Sequence, residues 1–173
     1  MELFKTIRDA DVGSTEAEPK EKELVERKAA RAVVFDSDNK IALFYSTKKN
    51  YHKLPGGGVE EGEDLETALR RELLEEIGCG VNNIREIGII EEFRNKFNLH
   101  QLSYCYVADV SGEKGAPDLE EGELAEGFVT EWLDLDSAIK TLEAETDIED
   151  YQGKFIHVRD LIFLKEAKKI LEK

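Results

Sequence analysis

Apolar and polar positions fall into blocks along this chain, and the blocks predict strands alternating with helices. From Ala29 the run Ala-Ala-Arg-Ala-Val-Val-Phe, the turn Asp-Ser-Asp-Asn-Lys and the run Ile-Ala-Leu-Phe-Tyr read as two strands joined by a hairpin turn. Residues 51–63 hold Pro55 and four glycines and predict a structured loop. Residues 64–77 carry a helical period that ends at Gly78. Strands are expected around 84–93 and 102–110 with a turn at 95–98, then a loop over 112–127 and a last strand at 128–133. Two helices follow, over 136–143 and 155–172, the second with a broad apolar face that includes Phe155, Val158, Leu161 and Leu164. Residues from about 9 to 27 are polar, so the first 27 or so are expected as a peripheral N-terminal arm. The order of elements predicts an α/β chain, a mixed sheet with helices on both faces, built as one domain over residues 1–173.

Composition narrows the class without naming a function. With 173 residues, 40% hydrophobic and 36% charged, the chain is expected to be soluble and globular. No apolar run approaches the roughly 18 residues of a membrane span, and the N-terminus lacks a secretory pattern. Cys79 and Cys105 sit in or beside apolar runs and read as reduced core residues of a cytoplasmic protein. The formal charge of -15, from 24 basic against 39 acidic residues, repels nucleic acid polymers and anionic membranes. The same field repels a small phosphorylated substrate unless metal ions and a local basic patch reverse it. Solubility alone explains most of this acidity equally well.

The predicted helix at 64–77 contains an anomaly. Laid out at about 100° per residue, Leu65, Ala68, Leu69, Leu73 and Ile77 form an apolar arc. Glu72 and Glu76 fall inside that arc and Glu75 sits at its edge, where a surface helix should be apolar. Burying unpartnered carboxylates costs several kcal/mol, and anions in the C-terminal half oppose the helix dipole. Something positive must meet them. Clustered hard oxygens suit Mg²⁺ or Mn²⁺; a solvated acidic face paired with Lys or Arg is the competing explanation. Pro55-Gly56-Gly57-Gly58, delivered directly into that helix, lets backbone carbonyls and amides approach a ligand.

The segment from Gly57 to Cys79, GGVEEGEDLETALRRELLEEIGC, resembles the box of the Nudix hydrolases, Gly-x5-Glu-x7-Arg-Glu-U-x-Glu-Glu-x-Gly-U with U bulky and apolar. Gly57, Glu63, Arg71, Glu72, Glu75, Glu76 and Gly78 fill the specified positions and Leu73 the first U, while Cys79 is smaller than the usual last U. The resemblance implies an α/β/α sandwich with a loop-helix-loop motif. It implies metal-dependent cleavage of a phosphoanhydride in a nucleoside diphosphate linked to a group X, giving a nucleoside monophosphate and phosphorylated X. Carried over by position, Glu72, Glu75 and Glu76 supply metal oxygens for Mg²⁺ or Mn²⁺, with the Gly56 carbonyl as a further ligand. Glu63 and Arg71 pair to orient the helix and Glu72. The general base is expected among Glu75 and Glu72; Glu120, Glu121 and Glu123, on the loop before the last strand, are additional candidates for base or ligand.

Substrate signals are thinner. Lys53 before the glycines, and Arg94 and Lys96 near a strand turn, are candidate phosphate contacts; for each, a solvated surface cation is the simpler explanation. Tyr51, Phe97, Tyr104 and Tyr106 are candidates to stack a base. The proline expected after the box in ADP-ribose hydrolases is absent, Phe97 stands where dinucleoside-polyphosphate hydrolases carry tyrosine, and the coenzyme A signature is missing. The expected partner is therefore a small nucleotide of open identity, with room for a homodimer. The alternative class is a silent Nudix module that binds nucleotide or protein, and retention of all four box glutamates argues against it.

Overall fold

The computed structural model describes residues 1–15 and 23–172. Its elements are β1 (Leu3–Ile7), β2 (Val25–Phe35), β3 (Lys40–Ser46), β4 (Tyr51–Lys53), β5 (Gly56–Gly58), α1 (Leu65–Ile77), β6 (Gly80–Arg94), β7 (Leu99–Ser111), α2 (Glu121–Glu126), β8 (Phe128–Asp134), α3 (Leu135–Ala144) and α4 (Tyr151–Leu171). The mixed α/β class expected from the order of elements is the one found.

Strand β2 is the axis of the sheet. It runs parallel to β7 from Val25 opposite Leu99 to Phe35 opposite Asp109, and its middle also pairs antiparallel with β5. Beyond β7 lies β6, antiparallel, and β1 closes that edge parallel to β6. On the other side β3 carries β4 and β8. The expected hairpin between the first two core strands survives only at its turn. There the Asp36 carboxylate accepts from the backbone N–H of Asp38 and Lys40, and Phe35 faces Ile41. The strands then part, because β7 and β5 take the edges of β2 while β3 pairs with β8.

Both faces of β2 are covered, which is why residues 29–35 read as an almost unbroken apolar run. Val33 and Phe35 pack toward α3 and α4 with Leu142, Phe155, Phe163 and Leu164. Ala30, Ala32 and Val34 pack toward Leu69, Leu73 and Ile77 of α1. Two small residues on that second face let α1 lie close to the sheet. Cys79 and Cys105 are free thiols, one in each of these two clusters.

Helix α1 begins where Asp64 accepts from the Thr67 backbone N–H at 2.7 Å and ends at Gly78 in the left-handed region, φ 63°. A Cβ on Gly78 would lie 2.5 Å from the Gly115 carbonyl oxygen, so the turn into β6 admits no side chain.

Four expectations need correction. The first residues are more than a peripheral arm: Leu3–Ile7 forms edge strand β1, with Ile7 fully buried, and Asp9 accepts from the Tyr151 hydroxyl. A five-residue strand gives too short an alternation to stand out, and residues 16–22 of the expected arm lie outside the described residues. The predicted loop 51–63 contributes β4 and β5 to the sheet. The loop 112–127 contains α2, whose acidic, glycine-interrupted sequence has no apolar period. Finally, α4 starts at Tyr151, capped by Asp150, because Gly153 is a packing requirement: a Cβ there would meet Tyr51 and Ile148 at 2.9 Å.

Between the sheet and α4 the core becomes ionic. Glu92, Gln101, Ser103, Arg159 and Asp160 are fully buried and Arg94 nearly so. Glu92 accepts from Arg94 at 2.7 Å, Gln101 at 2.8 Å, Ser103 at 3.0 Å and Arg159 at 3.4 Å. Asp160 accepts from Arg159 at 2.7 Å and from the Leu54 backbone N–H at 2.8 Å, tying the entry of the glycine segment to α4.

Candidate active site

The glycine strand, the polar face of α1 and the start of α2 enclose a cleft of about 270 Å³. Glu72, Glu75 and Glu76 line it from α1, Glu123 from α2 and Glu120 from the cap just before α2. Glu121 does not line it, so of the three acidic candidates on that loop two reach the cleft and one does not.

Arg71 organises the helix side. Its Nε and Nη2 donate to the two oxygens of Glu63, both at 2.9 Å, and Nη2 also donates to the Gly58 carbonyl at 3.0 Å. Its Nη1 donates to Glu72 at 2.9 Å and Glu75 at 3.2 Å. One planar fork thus joins the loop, the strand and two box carboxylates, a geometry that the single ammonium of lysine cannot copy. The Arg71 hydrogen bonds hold the Glu63 carboxyl at about 2, well below its ordinary value.

Glu76 has only 2% of its surface exposed. It accepts from the Gly56 backbone N–H at 2.5 Å and from Lys53 Nζ at 3.1 Å. Burial pushes its carboxyl up to about 7; Lys53 and the Gly56 N–H oppose this, and the neighbouring Glu123 carboxylate adds to it. Burial also raises Glu72, with Arg71 opposing.

The glycines are there because side chains would collide. At Gly56, φ is +125° and a Cβ would stand 2.2 Å from the Ala30 carbonyl oxygen. At Gly57 a Cβ would stand 2.3 Å from the Glu72 carboxylate, a flexible group able to move. Gly57→Ala is therefore expected to keep the fold while displacing Glu72, lowering turnover about 10²-fold with little change in melting temperature. Parallel kinetics and thermal melts check this; normal turnover would show that the position of Glu72 is unimportant.

A NUDIX domain matches residues 25–157, which spans β2 to α4 and contains every one of these cleft residues. The chain belongs to the Nudix family. An ADP-ribose pyrophosphatase of Methanocaldococcus jannaschii is 32% identical over 125 residues, 68% of this chain and 69% of that protein. An 8-oxo-dGTP diphosphatase of Buchnera aphidicola is 32% identical over 102 residues, 57% of this chain and 70% of its own. An RNA pyrophosphohydrolase of Sulfurovum is 51% identical over 45 residues, a segment covering only 27% of that relative. Among solved structures, a MutT NUDIX hydrolase from Burkholderia pseudomallei superposes with TM-score 0.57 at 21% identity, over 83% of this chain and 98% of that one.

Nudix hydrolases generally use divalent metal ions. The donor chemistry of this Nudix cleft fits such an ion: carboxylate and carbonyl oxygens line it, and neither sulfur nor imidazole does among the described residues. The oxygens do not yet converge, since among the described residues no three acidic, histidine or cysteine groups are gathered as a cage. Each faces a cationic or N–H partner instead: Glu72 and Glu75 face Arg71, Glu76 faces Lys53 and Gly56 N–H, and the Gly56 carbonyl accepts from Arg31 Nη1 at 2.6 Å.

Of the phosphate candidates, Lys53 and Arg94 line the cleft and Lys96 does not; its ammonium lies over the Tyr151 ring. Tyr51 reaches the cleft, while Phe97, Tyr104 and Tyr106 do not. Arg27 and Arg31 line it too and were missed. Their signal was present, because strand alternation places 27, 29, 31, 33 and 35 on one face, where arginines stand out in an Ala/Val run.

Proposed function

We propose that this Nudix cleft hydrolyses the phosphoanhydride of a nucleoside diphosphate linked to X, with Glu72, Glu75, Glu76 and the Gly56 carbonyl holding Mg²⁺ or Mn²⁺. The observation that carries the reading is the buried Glu76 beside Glu72 and Glu75 on one wall of a cleft open to solvent. When bound, a divalent ion supplies neutralisation of the phosphate oxygens and a more acidic water.

The rest is work for the chain. Arg71 is a positioning residue: through Glu63 and Gly58 it fixes the helix against the glycine strand and holds Glu72 in one rotamer. Glu75 is the most exposed of the three helix carboxylates, at 36% of its side chain, and Arg71 engages it through one oxygen only. We assign it the proton of the attacking water, with Glu72 as the second choice. Glu123, 3.8 Å from Lys53, lines the cleft from α2 and is the candidate additional ligand. Lys53 stands where it can meet a substrate phosphate once Glu76 turns to an ion.

The test is a hydrolysis screen in Mg²⁺ and in Mn²⁺ over nucleoside triphosphates, oxidised nucleoside triphosphates, nucleotide sugars, ADP-ribose, dinucleoside polyphosphates and dinucleotide cofactors. Metal-dependent turnover of one compound class supports the reading; silence across the panel with metal bound favours a binding module. A further expected result is that millimolar Mg²⁺ or Mn²⁺ raises the melting temperature. An ion at 100 times its dissociation constant stabilises the native state by about 2.7 kcal/mol. Thermal melts with and without metal check this, and unchanged melting would count against a site in the free protein.

A further inference from the structure

Strand β4 is three residues long and, among the described residues, pairs with β3 alone. It nevertheless delivers Lys53 to the cleft and leads into the glycine strand. So short a strand needs support from outside the sheet. Tyr51 finds it against Ile148 and Ile156, and Lys53 against Glu76. Alternation turns these two side chains toward the cleft and His52, between them, away from it.

His52, 8% exposed, enters a second polar cluster that takes no part in the proposed reaction. Its backbone N–H and its Nδ1 both meet Glu145 Oε1, at 3.0 and 2.5 Å, and its Nε2 lies 3.2 Å from Glu131 Oε2. Glu145 ends α3 and Glu131 belongs to β8. From α4, His157 brings its Nδ1 to 3.4 Å from the other Glu145 oxygen. The Tyr45 ring of β3 stacks on the His52 imidazole, with centroids 4.6 Å apart. A neutral imidazole has one N–H and one lone pair, so it can donate to only one of the two carboxylates; the imidazolium donates to both. Burial lowers the His52 pKa, but the hydrogen bonds and charges of Glu145 and Glu131 outweigh burial and hold it above its ordinary value. Burial would raise the Glu145 carboxyl, and the His157 and His52 rings bring it below its ordinary value instead.

We propose that His52 is a positioning residue for Lys53: as an imidazolium bridging Glu145 and Glu131 it clamps β4 from outside the cleft, and the clamp slackens when the ring loses its proton. The inference rests on the hydrolase reading in giving Lys53 a substrate phosphate to meet. A proton held more tightly by the clamped strand than by the released one stabilises the clamp fully below the ordinary histidine value of 6.5. That contribution is lost as pH rises through the higher value of the clamped ring. Lys53 Nζ lies 3.1 Å from Glu76, 3.8 Å from Glu123 and 4.5 Å from the centre of the Phe128 ring. A shift of its strand therefore moves the ammonium against both acidic walls of the cleft.

With three histidines in the chain, NMR can follow the His52 ring and its backbone amide together as pH is raised. In wild type, the protection of that amide from hydrogen exchange, corrected for its intrinsic rate, should fall about tenfold as the ring loses its proton. Glu145→Gln keeps an acceptor for the amide but removes the charge, so the ring should titrate lower and the fall should move with it. This variant carries the test if His52→Gln fails to fold. Protection that stays constant while the ring titrates overturns the clamp. In kinetics on a hydrolysed compound, kcat/KM of wild type should fall by a similar factor over the same pH range, mainly through KM. The fall should be absent from His52→Gln and from Lys53→Met. A fall that persists in Lys53→Met bypasses that residue and overturns the assignment. A lower melting temperature in the His52 and Glu145 variants with an unchanged pH profile reduces the pair to a structural role and overturns it as well. Proton-dependent protection with no hydrolysis of any compound upholds the clamp and overturns the hydrolase reading; hydrolysis with a pH profile indifferent to His52 does the opposite.

Discussion

Glu76→Gln should lower turnover by on the order of 10³-fold or more and leave the metal-free protein as stable as wild type near neutral pH, or more so. The first half follows from position: Glu76 is the most buried acidic oxygen donor of the cleft, and an amide oxygen carries no charge for an ion to meet. The second half follows from environment. Burial raises the Glu76 carboxyl to about 7, so its ionised form is held in the folded state at a cost that Lys53 and the Gly56 N–H only partly offset. Glutamine keeps an acceptor for the Gly56 N–H and offers an N–H toward Glu123. Urea unfolding in chelator and initial rates in Mg²⁺ check the two halves separately. Near-normal turnover would remove Glu76 from the site; a large loss of stability would mean that its partners outweigh its burial.

Glu92→Gln should do the reverse, unfolding the protein more easily. The guanidinia of Arg159 and Arg94, with Arg31 further off, outweigh burial and hold the Glu92 carboxyl at about 2. A depressed folded-state value stabilises the protein above the ordinary carboxylate range near 4.5, and that contribution is lost as pH falls from there toward 2. At about 1.4 kcal/mol per unit, the contribution is roughly 3 kcal/mol, similar to the 3–5 kcal/mol expected when one partner of a buried pair is removed. Glutamine in its place leaves buried arginines short of countercharge. Urea titrations at neutral pH and near pH 3 check both: the variant should be weaker at neutral pH, and the gap should narrow in acid. A constant gap would assign the effect to packing instead of charge.

Much of this was legible before any coordinates, for reasons particular to certain residues. Helix α1 announces itself with Asp64 as cap, Gly78 as stop and an apolar arc between them, all local signals. The misplaced glutamates were visible as an inconsistency inside that arc, and their surroundings account for it. What stayed hidden depends on residues far apart in sequence. Nothing near Gly153 says that Tyr51 lies against it, so the first turn of α4 was lost. Arg94 reads from the sequence as either a phosphate contact or a surface cation near a turn, and only the sheet puts it beneath the same cleft as Arg31. Asp160 is the clearest case, an acidic residue in a helix whose partner is the backbone N–H of Leu54.

The parallel pairing of β2 with β7 has a further consequence, and it is kinetic. The hairpin of β6 and β7 closes over a short turn and forms cheaply, as does α1. Strand β2 meets β7 across about 74 residues of intervening chain, as the Glu26–His100 contact shows. Such a contact carries a large loop-closure entropy and is made late in folding. Strand β2 meets the glycine strand across only about 25 residues, as the Arg31–Gly56 hydrogen bond shows, so the cleft joins one short closure to one long one.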